Sequence, residues 1–541
     1  MRLNRGGAAS ALGALAAAIF LLAACKQGPD FFSPAAPEEK GYTTPDDAIP
    51  PSDADPGIGH GGKSGGKSKA AQRVALGAKV KDDWWTLFHS PMLDKVMRDA
   101  LDGSPTIAQA TALLAQGREL TIAALGAEYP QVDLAAGVSR QQFNPAPSGV
   151  VRSPVAVSVF SIGPTVSYSL DVFGAIKRQV EAQSALADVS DYQLAAAYLS
   201  LSGNITTQAI TIAGLRAQIK TVEAILADDE RNVNLVKTAQ AGGTTTMVDV
   251  TTAQTQLAND RTLLPPLHQQ LSVARDALAV YVGRTPADWS PPDFDLDGLT
   301  LPSVVPVSLP SALVRQRPDI LAAEAQLHVN AAQIGVATAN LYPNFTLSAS
   351  VLQSATDLGN FFSGAYTAFN IGAAMAAPIF RGGTLRAQQR AAKDAFDASW
   401  AAYRQTVIQA FGQVADQLQA LAHDDEAVKT QRAALAIADQ ALRLARLSYQ
   451  AGNSTLLQLL DPERQREQAV LGLVRAEQQR LIDTSQLLVA LGSGWWNTPP
   501  SAPGPEPDPH AMAPGSPTSS PVPPASGPPD DGPFWEKWFK G

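Results

Sequence analysis

The chain has 541 residues with 41 basic against 50 acidic side chains, a net charge of -9 and a mean hydropathy of -0.04. Its 17% charged residues fall below the roughly 25% of soluble domains, and the hydropathy excludes both a disordered polyelectrolyte and a polytopic helical membrane protein. The acidic balance offers no footprint for nucleic acid, and a single cysteine, Cys25, excludes a disulfide framework, a cysteine-ligated zinc site and an iron–sulfur cluster.

Arg2 and Arg5 precede an uncharged, Ala/Leu-rich run over 6–24, which reads as an export signal. An uncleaved signal anchor is the alternative. Leu22-Ala23-Ala24-Cys25 resembles a bacterial lipobox, which implies removal of 1–24 and a covalent diacylglycerol and N-palmitate on Cys25 as the only attached groups. Each buried methylene of such chains contributes about 0.8 kcal/mol of anchoring. Lys26 follows, where an Asp would signal inner-membrane retention, so the same resemblance points to outer-membrane lipid. Residues 25–81 are rich in Pro, Gly, Ser and Lys and read as a tether.

An internal repeat organises the middle of the chain. Residues 105–138 align without a gap on 318–351, matching Pro105 with Pro318, Ile107 with Ile320, Leu114 with Leu327 and Tyr129-Pro130 with Tyr342-Pro343. Each copy opens with an Ala/Gln-rich helix that ends at Tyr-Pro, because proline drives its predecessor into extended backbone. The helices of the first copy fall within 82–130, and a linker with the corresponding helix of the second within 284–343. Two stretches of alternation follow in each copy. Val132, Leu134, Ala136 and Val138 alternate with Asp133, Ala135, Gly137 and Ser139; Phe160, Ile162, Val166, Tyr168 and Leu170 alternate with mostly small residues. Phe345, Leu347, Ala349 and Val351, then Phe369, Ile371, Ala373 and Met375, repeat the pattern. One apolar and one small polar face over about ten residues is the pattern of a barrel strand between lipid and water. The two hairpins span 131–172 and 344–379.

Heptad-spaced helices follow over 173–283 and 380–494. Ile205, Ile212, Ile219, Leu226 and Val233 are one series, and Leu257, Leu264, Leu271 and Leu278 the next; Trp400, Val407, Val414 and Leu421, then Val474, Leu481 and Leu488, belong to the second copy. This spacing predicts antiparallel coiled-coil hairpins. At about 1.5 Å per residue the first ascending stretch measures on the order of 100 Å. The turns fall at Ala241-Gly242-Gly243-Thr244 and Ala451-Gly452-Asn453-Ser454, where glycine admits left-handed backbone. Pro265-Pro266 predicts a bend or break in the first returning helix. The Pro-rich segment 495–541 reads as a disordered tail.

Four such strands cannot close a barrel, since about eight is the smallest closed number and an open edge in lipid leaves backbone groups unsatisfied. The chain must therefore oligomerise. Two copies would enclose a filled interior and three a water-filled lumen, and the pattern leaves both open.

The chain resembles the TolC-like outer membrane factors, in their lipoprotein branch. The matching residues are the lipobox at Cys25, Gly28-Pro29-Asp30-Phe31, Trp84-Trp85-x-x-Phe88, Leu170-Asp171-Val172-Phe173-Gly174, Arg315-Gln316-Arg317-Pro318-Asp319-Ile320, Leu341-Tyr342-Pro343 and Pro378-Ile379-Phe380-Arg381-Gly382-Gly383. The resemblance implies a mainly α protein with a transmembrane β-barrel, built from two internal repeats per chain. It implies a homotrimer whose twelve-stranded outer-membrane barrel continues into a twelve-helix periplasmic tunnel girdled by an equatorial domain, formed in part by 82–130. It also implies the exit duct of a tripartite efflux pump, with a periplasmic adaptor and an inner-membrane transporter of the resistance–nodulation–division (RND) type. The duct of an ABC-type (type I) secretion system is the alternative.

The family's tip motif carries over onto Tyr449, Gly452 and Asp461, with Ser454 at its Arg position and Gln458 at its first Asp position; Asp249 matches in the first repeat. The resemblance thus makes Asp249, Asp461, Tyr449 and Gln458 the periplasmic gate, and Gly242, Gly243 and Gly452 the adaptor docking points. Two plainer readings stay open. Both aspartates could simply stabilise helix N-termini, by about 0.3–1 kcal/mol each, and the glycines could only turn the chain.

No catalytic or metal site is expected. The histidines are scattered, and no GxSxG, P-loop or GxGxxG with a strand–helix context occurs. Asp228-Asp229-Glu230 and Asp424-Asp425-Glu426 read as solvated or lumen-facing helix surface. A non-channel coiled-coil scaffold would explain the heptads but not the alternating segments in repeat register. Nothing in the sequence names a cargo.

Overall fold

The computed structural model describes residues 26–37, 41–44, 72–78, 80–143, 155–357, 359, 361 and 363–492. The lipidation residue Cys25, the signal segment, most of the loop near 143–154 and the C-terminal tail lie outside the described residues.

The elements follow the two repeats. The first contains β1 (Arg73–Leu76), α1 (Pro91–Gly103), α2 (Pro105–Leu125), β2 (Gln131–Phe143), β3 (Val155–Leu170), α3 (Ala175–Ala241), α4 (Met247–Arg261) and α5 (Leu264–Tyr281). The second contains β4 (Val304–Val307), α6 (Pro310–Leu313), α7 (Pro318–Ala339), β5 (Asn344–Ala355), β6 (Thr367–Ala376), α8 (Thr384–Gln450) and α9 (Leu456–Ala490). Among the described residues, no helix is long and apolar enough to cross a membrane.

The four long strands form a sheet of order β2-β3-β5-β6, antiparallel throughout. Its register keeps the expected apolar residues on one face, with Val132 opposite Val166, Val166 opposite Ala349 and Ala349 opposite Ile371. Pro164 interrupts the central strand. The β3–β5 ladder skips from Ile162–Gln353 to Thr165–Ser350, because proline has no N–H to donate, and Gly163 lets the strands close in. A Cβ on Gly163 would lie 1.9 Å from the Val351 carbonyl oxygen.

Sheet and helices join at the Leu170-to-Gly174 elbow. Asp171 accepts the Ile176 and Lys177 N–H groups at 3.1 and 2.8 Å, capping α3, while Gly174 takes φ +77°. Phe173 stacks on Tyr342, with ring centroids 4.7 Å apart.

The helices α3 and α8 each run 67 residues, about 100 Å at ~1.5 Å per residue. The heptad leucines and isoleucines meet in the main core, where Ile205, Ile212, Val414 and Leu488 are fully buried. Trp400 departs from the expectation: it is partly exposed and stacks on Tyr403. Its partner helix α9 has only 35 residues and reaches about halfway up α8, so the upper half of α8 packs on α7 instead. The first returning arm breaks between α4 and α5 at Thr262-Leu263, with Pro265 and Pro266 placed in the first turn of α5, where their missing N–H groups cost nothing.

The expected tether over 25–81 is corrected in its described parts. Residues 26–37 are strapped onto α3 and α7. Arg178, 1% exposed, donates to Gln27 O at 2.9 Å, to Gly28 O at 3.1 Å and to Asp30 Oδ1 at 2.9 Å. Gly28 makes the strap possible: it takes φ +85°, and a Cβ there would sit 2.5 Å from the Gly335 Cα. Phe31 stacks on His328 at 4.5 Å, and Arg315 holds Ser33 and the Pro34 carbonyl. Further on, β1 pairs in parallel with β4, from Arg73–Val304 to Leu76–Val307. Proline and glycine content suggested slack, but the carbonyls it leaves unpaired are what a buried guanidinium requires.

Candidate functional site

Both hairpins turn, at the end remote from the sheet, by the same device. Gly243 takes φ +75°, and the Thr244 N–H reaches back to Ala239 O at 3.0 Å. Gly452 takes φ +74°, and the Asn453 N–H reaches Ser448 O at 2.9 Å. Gly242 keeps right-handed backbone at φ −80°, so the turn itself needs only Gly243 and Gly452.

The returning helices open on equivalent threonines. Asp249 Oδ2 accepts the Thr246 N–H at 2.9 Å and its hydroxyl at 2.7 Å, while Thr246 Oγ1 accepts the Asp249 N–H at 3.3 Å. In the second repeat, the Thr455 N–H donates to Gln458 Oε1 at 2.9 Å. Thr246-x-x-Asp249 and Thr455-x-x-Gln458 are thus the same capping box. Gln458 keeps the hydrogen bond of an aspartate and gives up its charge, which identity matching alone reads as a loss. The bonds from the Thr246 backbone and hydroxyl hold the Asp249 carboxyl below its ordinary range. A depressed carboxyl contributes above that range and loses its contribution as pH falls, so this cap is intact at neutral pH.

Asp461 lies about one turn beyond the second cap. Its Oδ1 accepts from Arg464 at 2.7 Å and its Oδ2 from Gln465 at 2.8 Å. Tyr449 is half-buried against a separate tip core of Val233, Val236, Val250, Ala253, Leu257, Leu442 and Leu459. Among the described residues no hydrogen bond joins Tyr449 to Asp249 or Asp461; Asp461 uses both oxygens, and Asp249 its Oδ2, on its own helix end.

A polar belt separates the tip core from the main core, and sequence reasoning missed it. Glu463 accepts from Asn232 at 2.7 Å and pairs with Arg446 at 3.1 Å; Arg261 pairs with Glu230 at 2.8 Å and Arg466 with Asp439 at 2.7 Å. Within the run read as solvated surface, Asp229 is only 4% exposed. Helix α3 has α4 on one flank and α9 on the other at this level, so a residue off the heptad seam is still covered. Asp424 is also covered, between α8 and α9, with Oδ2 buried. Burial, then the neighbouring Asp260 and Glu467, pushes the Asp229 carboxyl up to about 8; burial and Asp483 push Asp424 up to about 7. Burial and Asp260 push Glu467 up to about 7. The signal available in sequence was the placement of Asp260 and Asp483 on the returning arms. Among the described residues, no three His, Cys, Asp or Glu converge as metal ligands.

A family model described as outer membrane efflux protein matches residues 96–284 and 309–493. Over 418 residues the chain is 32% identical to the pyoverdine export outer membrane protein OpmQ of Pseudomonas aeruginosa, covering 76% of this chain and 87% of that protein. It is 25% identical over 432 residues to the probable outer membrane lipoprotein SilC of Salmonella typhimurium, covering 79% and 91%. The solved structure of the outer membrane protein VceC from Vibrio cholerae matches with a TM-score of 0.71 at 26% identity, covering 77% of this chain and 99% of that one.

Proposed function

The chain belongs to the outer membrane efflux protein family and is an efflux duct spanning outer membrane and periplasm, and from that premise we propose a finer role. It works as a homotrimer that receives small molecules from an RND-type inner-membrane transporter through a periplasmic adaptor, does no chemistry on them, and is held to the outer membrane by acyl chains on Cys25.

The observation that carries the assembly is an asymmetry between repeat mates. Helix α7 lies between α3 and α8, whereas its mate α2 has α3 on one side and exposed Leu113, Leu120 and Ile122 on the other. The sheet likewise ends in two unpaired edges, β2 and β6. A ring of copies supplies an α8 to each α2 and joins β6 to the next β2, and three copies give a barrel wide enough for a water-filled lumen.

The turns at Gly242, Gly243 and Gly452 are proposed as adaptor contacts. The test is a photo-crosslinking residue at Asn453, which is exposed and leaves the Thr455 cap intact. Capture of a periplasmic adaptor in intact cells is expected; a normally assembled protein that captures none removes the pump role and leaves a stand-alone pore.

For the gate, Asp249 and Asp461 are proposed to form rings of negative charge at the closed mouth, a cation-attracting constriction. Asp249→Ala with Asp461→Ala is expected to leave the mouth leaky, read as increased uptake of bulky antibiotics. Thr246→Ala removes the cap, at a cost of about 1 kcal/mol, and keeps both charges. A Thr246→Ala variant as leaky as the double variant would reduce Asp249 to a helix cap.

A further inference from the structure

We propose that each helical hairpin binds one proton between its two arms, shared by Asp229 and Asp260 in the first and by Asp424 and Asp483 in the second, and that this proton holds the arms together. The inference goes beyond the duct role, since it concerns cohesion of the arms whether or not the pore conducts.

The geometry of the first pair leaves little else. Asp229 on α3 is 4% exposed and lies within hydrogen-bonding reach of Asp260 on α4, yet its Oδ2 has no donor. Two carboxylates offer only acceptors, so a bond across the arms exists only when one of them carries a proton. The charged groups around the pair are otherwise engaged. From α3, Asp228 pairs with Arg231 and Glu230 with Arg261 of α4; from α8, Arg446 pairs with Glu463 and Asp439 with Arg466, both partners on α9. Glu467, also on α9, adds negative charge, and Gln256 donates to Asp260 Oδ2 at 2.7 Å without adding positive charge.

The second pair repeats the arrangement independently. Asp424 Oδ2 on α8 is buried without a donor, and Asp483 on α9 is 7% exposed, its two oxygens accepting from Gln479 at 3.1 and 3.0 Å. The nearby cation Arg480 pairs with Asp425 at 2.9 Å, and Arg432 pairs with Glu477 at 2.7 Å. Both pairs therefore join an outgoing arm to a returning arm.

Position gives the proton leverage. Asp260 lies immediately before the Thr262-Leu263 break, so it fixes the upper end of α4, the one arm segment that a helix break frees to swing. Asp229 stands between the main core and the tip core, one turn from Leu226, which packs against both. The raised affinity of Asp229 and Asp424 for protons agrees with this geometry. The sign follows: the closed hairpin holds a proton that an opened one releases, so cohesion falls as pH rises from the ordinary carboxylate range and levels off above about 8.

The test is amide exchange of the full-length protein in lipid bilayers, corrected for intrinsic rates, across pH 6–9. Opening of residues 225–261 is expected to increase at least tenfold from pH 6 to 9, since one proton released per opening changes the equilibrium about tenfold per pH unit below the folded pKa. Asp229→Asn, whose amide donates to Asp260 without a proton, is expected to cut the rise severalfold and leave only the smaller part that Glu467 contributes. Asp424→Asn should flatten the pH response of 420–485 and leave that of 225–261 unchanged; Asp260→Asn serves if Asp229→Asn does not assemble. A flat wild-type profile, or an Asn variant that keeps the wild-type rise, overturns the proposal. So does a wild-type profile set by EDTA or added calcium in place of pH, because a cation would then hold the pair.

Discussion

Arg178→Met is expected to detach residues 26–34 from the body and to destabilise this region by about 3–5 kcal/mol, the usual cost of removing one partner from a buried ionic network. The guanidinium is 1% exposed and serves the Gln27 and Gly28 carbonyls, Asp30 at 2.9 Å and Glu181 at 2.9 Å. Glu181 also takes Lys26 at 2.6 Å and His328 at 3.1 Å. Burial by itself would raise the Glu181 carboxyl, but the bonds from Lys26, His328 and Arg178 outweigh it and hold the group below its ordinary range. The clamp is therefore complete at neutral pH and weakens as pH falls into the acid range. Arg178→Lys should lose an intermediate amount, since one ammonium cannot reach carbonyls and carboxylates arranged for a planar fork. Limited proteolysis reads the strap and thermal unfolding reads the fold. A methionine variant with wild-type protease resistance would mean that Phe31 and Arg315 suffice to hold the strap.

Leu134→Arg is expected to prevent assembly of the barrel, while Asp133→Arg is tolerated. The two residues are neighbours on β2 with opposite faces, paired with Pro164 and Thr165 of β3. An arginine on the lipid face costs about 2–4 kcal/mol near the bilayer midplane, and a ring of copies multiplies that cost. On the lumen side the same side chain meets water. Recovery of protease-resistant oligomer from outer membranes measures the difference. Equal recovery of both variants would show that the apolar face of β2 is not in contact with lipid.

Much of the fold was legible because its periodicities are local. Alternation on the strands, heptads on the long helices, Tyr-Pro at Tyr129 and Tyr342, and glycine at the turns each follow from backbone geometry within a few residues. The break before Pro265-Pro266 was legible for the same reason. Trp400 was assigned to a hairpin seam because a heptad says which face is apolar and not which helix covers it.

The tip was legible in part. Tyr449, Gly452, Asp249 and Asp461 all fall at or near the hairpin turns, but matching identities concealed that Gln458 caps α9 as Asp249 caps α4. The Asp228-Asp229-Glu230 run was misread because charge in a helix is ordinarily solvated, whereas packing of both α4 and α9 on α3 covers Asp229.

By itself, then, the sequence determined the two repeats, the strand and helix textures, the turn positions and the need for partners. Tertiary structure alone decided the docking of 26–37 on Arg178, the pairing of β1 with β4, and the carboxyl pairs across the hairpin arms. The physical reason is range. Propensity and periodicity act over one or two turns, whereas burial of a guanidinium or a carboxylate depends on segments from tens to more than a hundred residues away, as Gln27 is from Arg178.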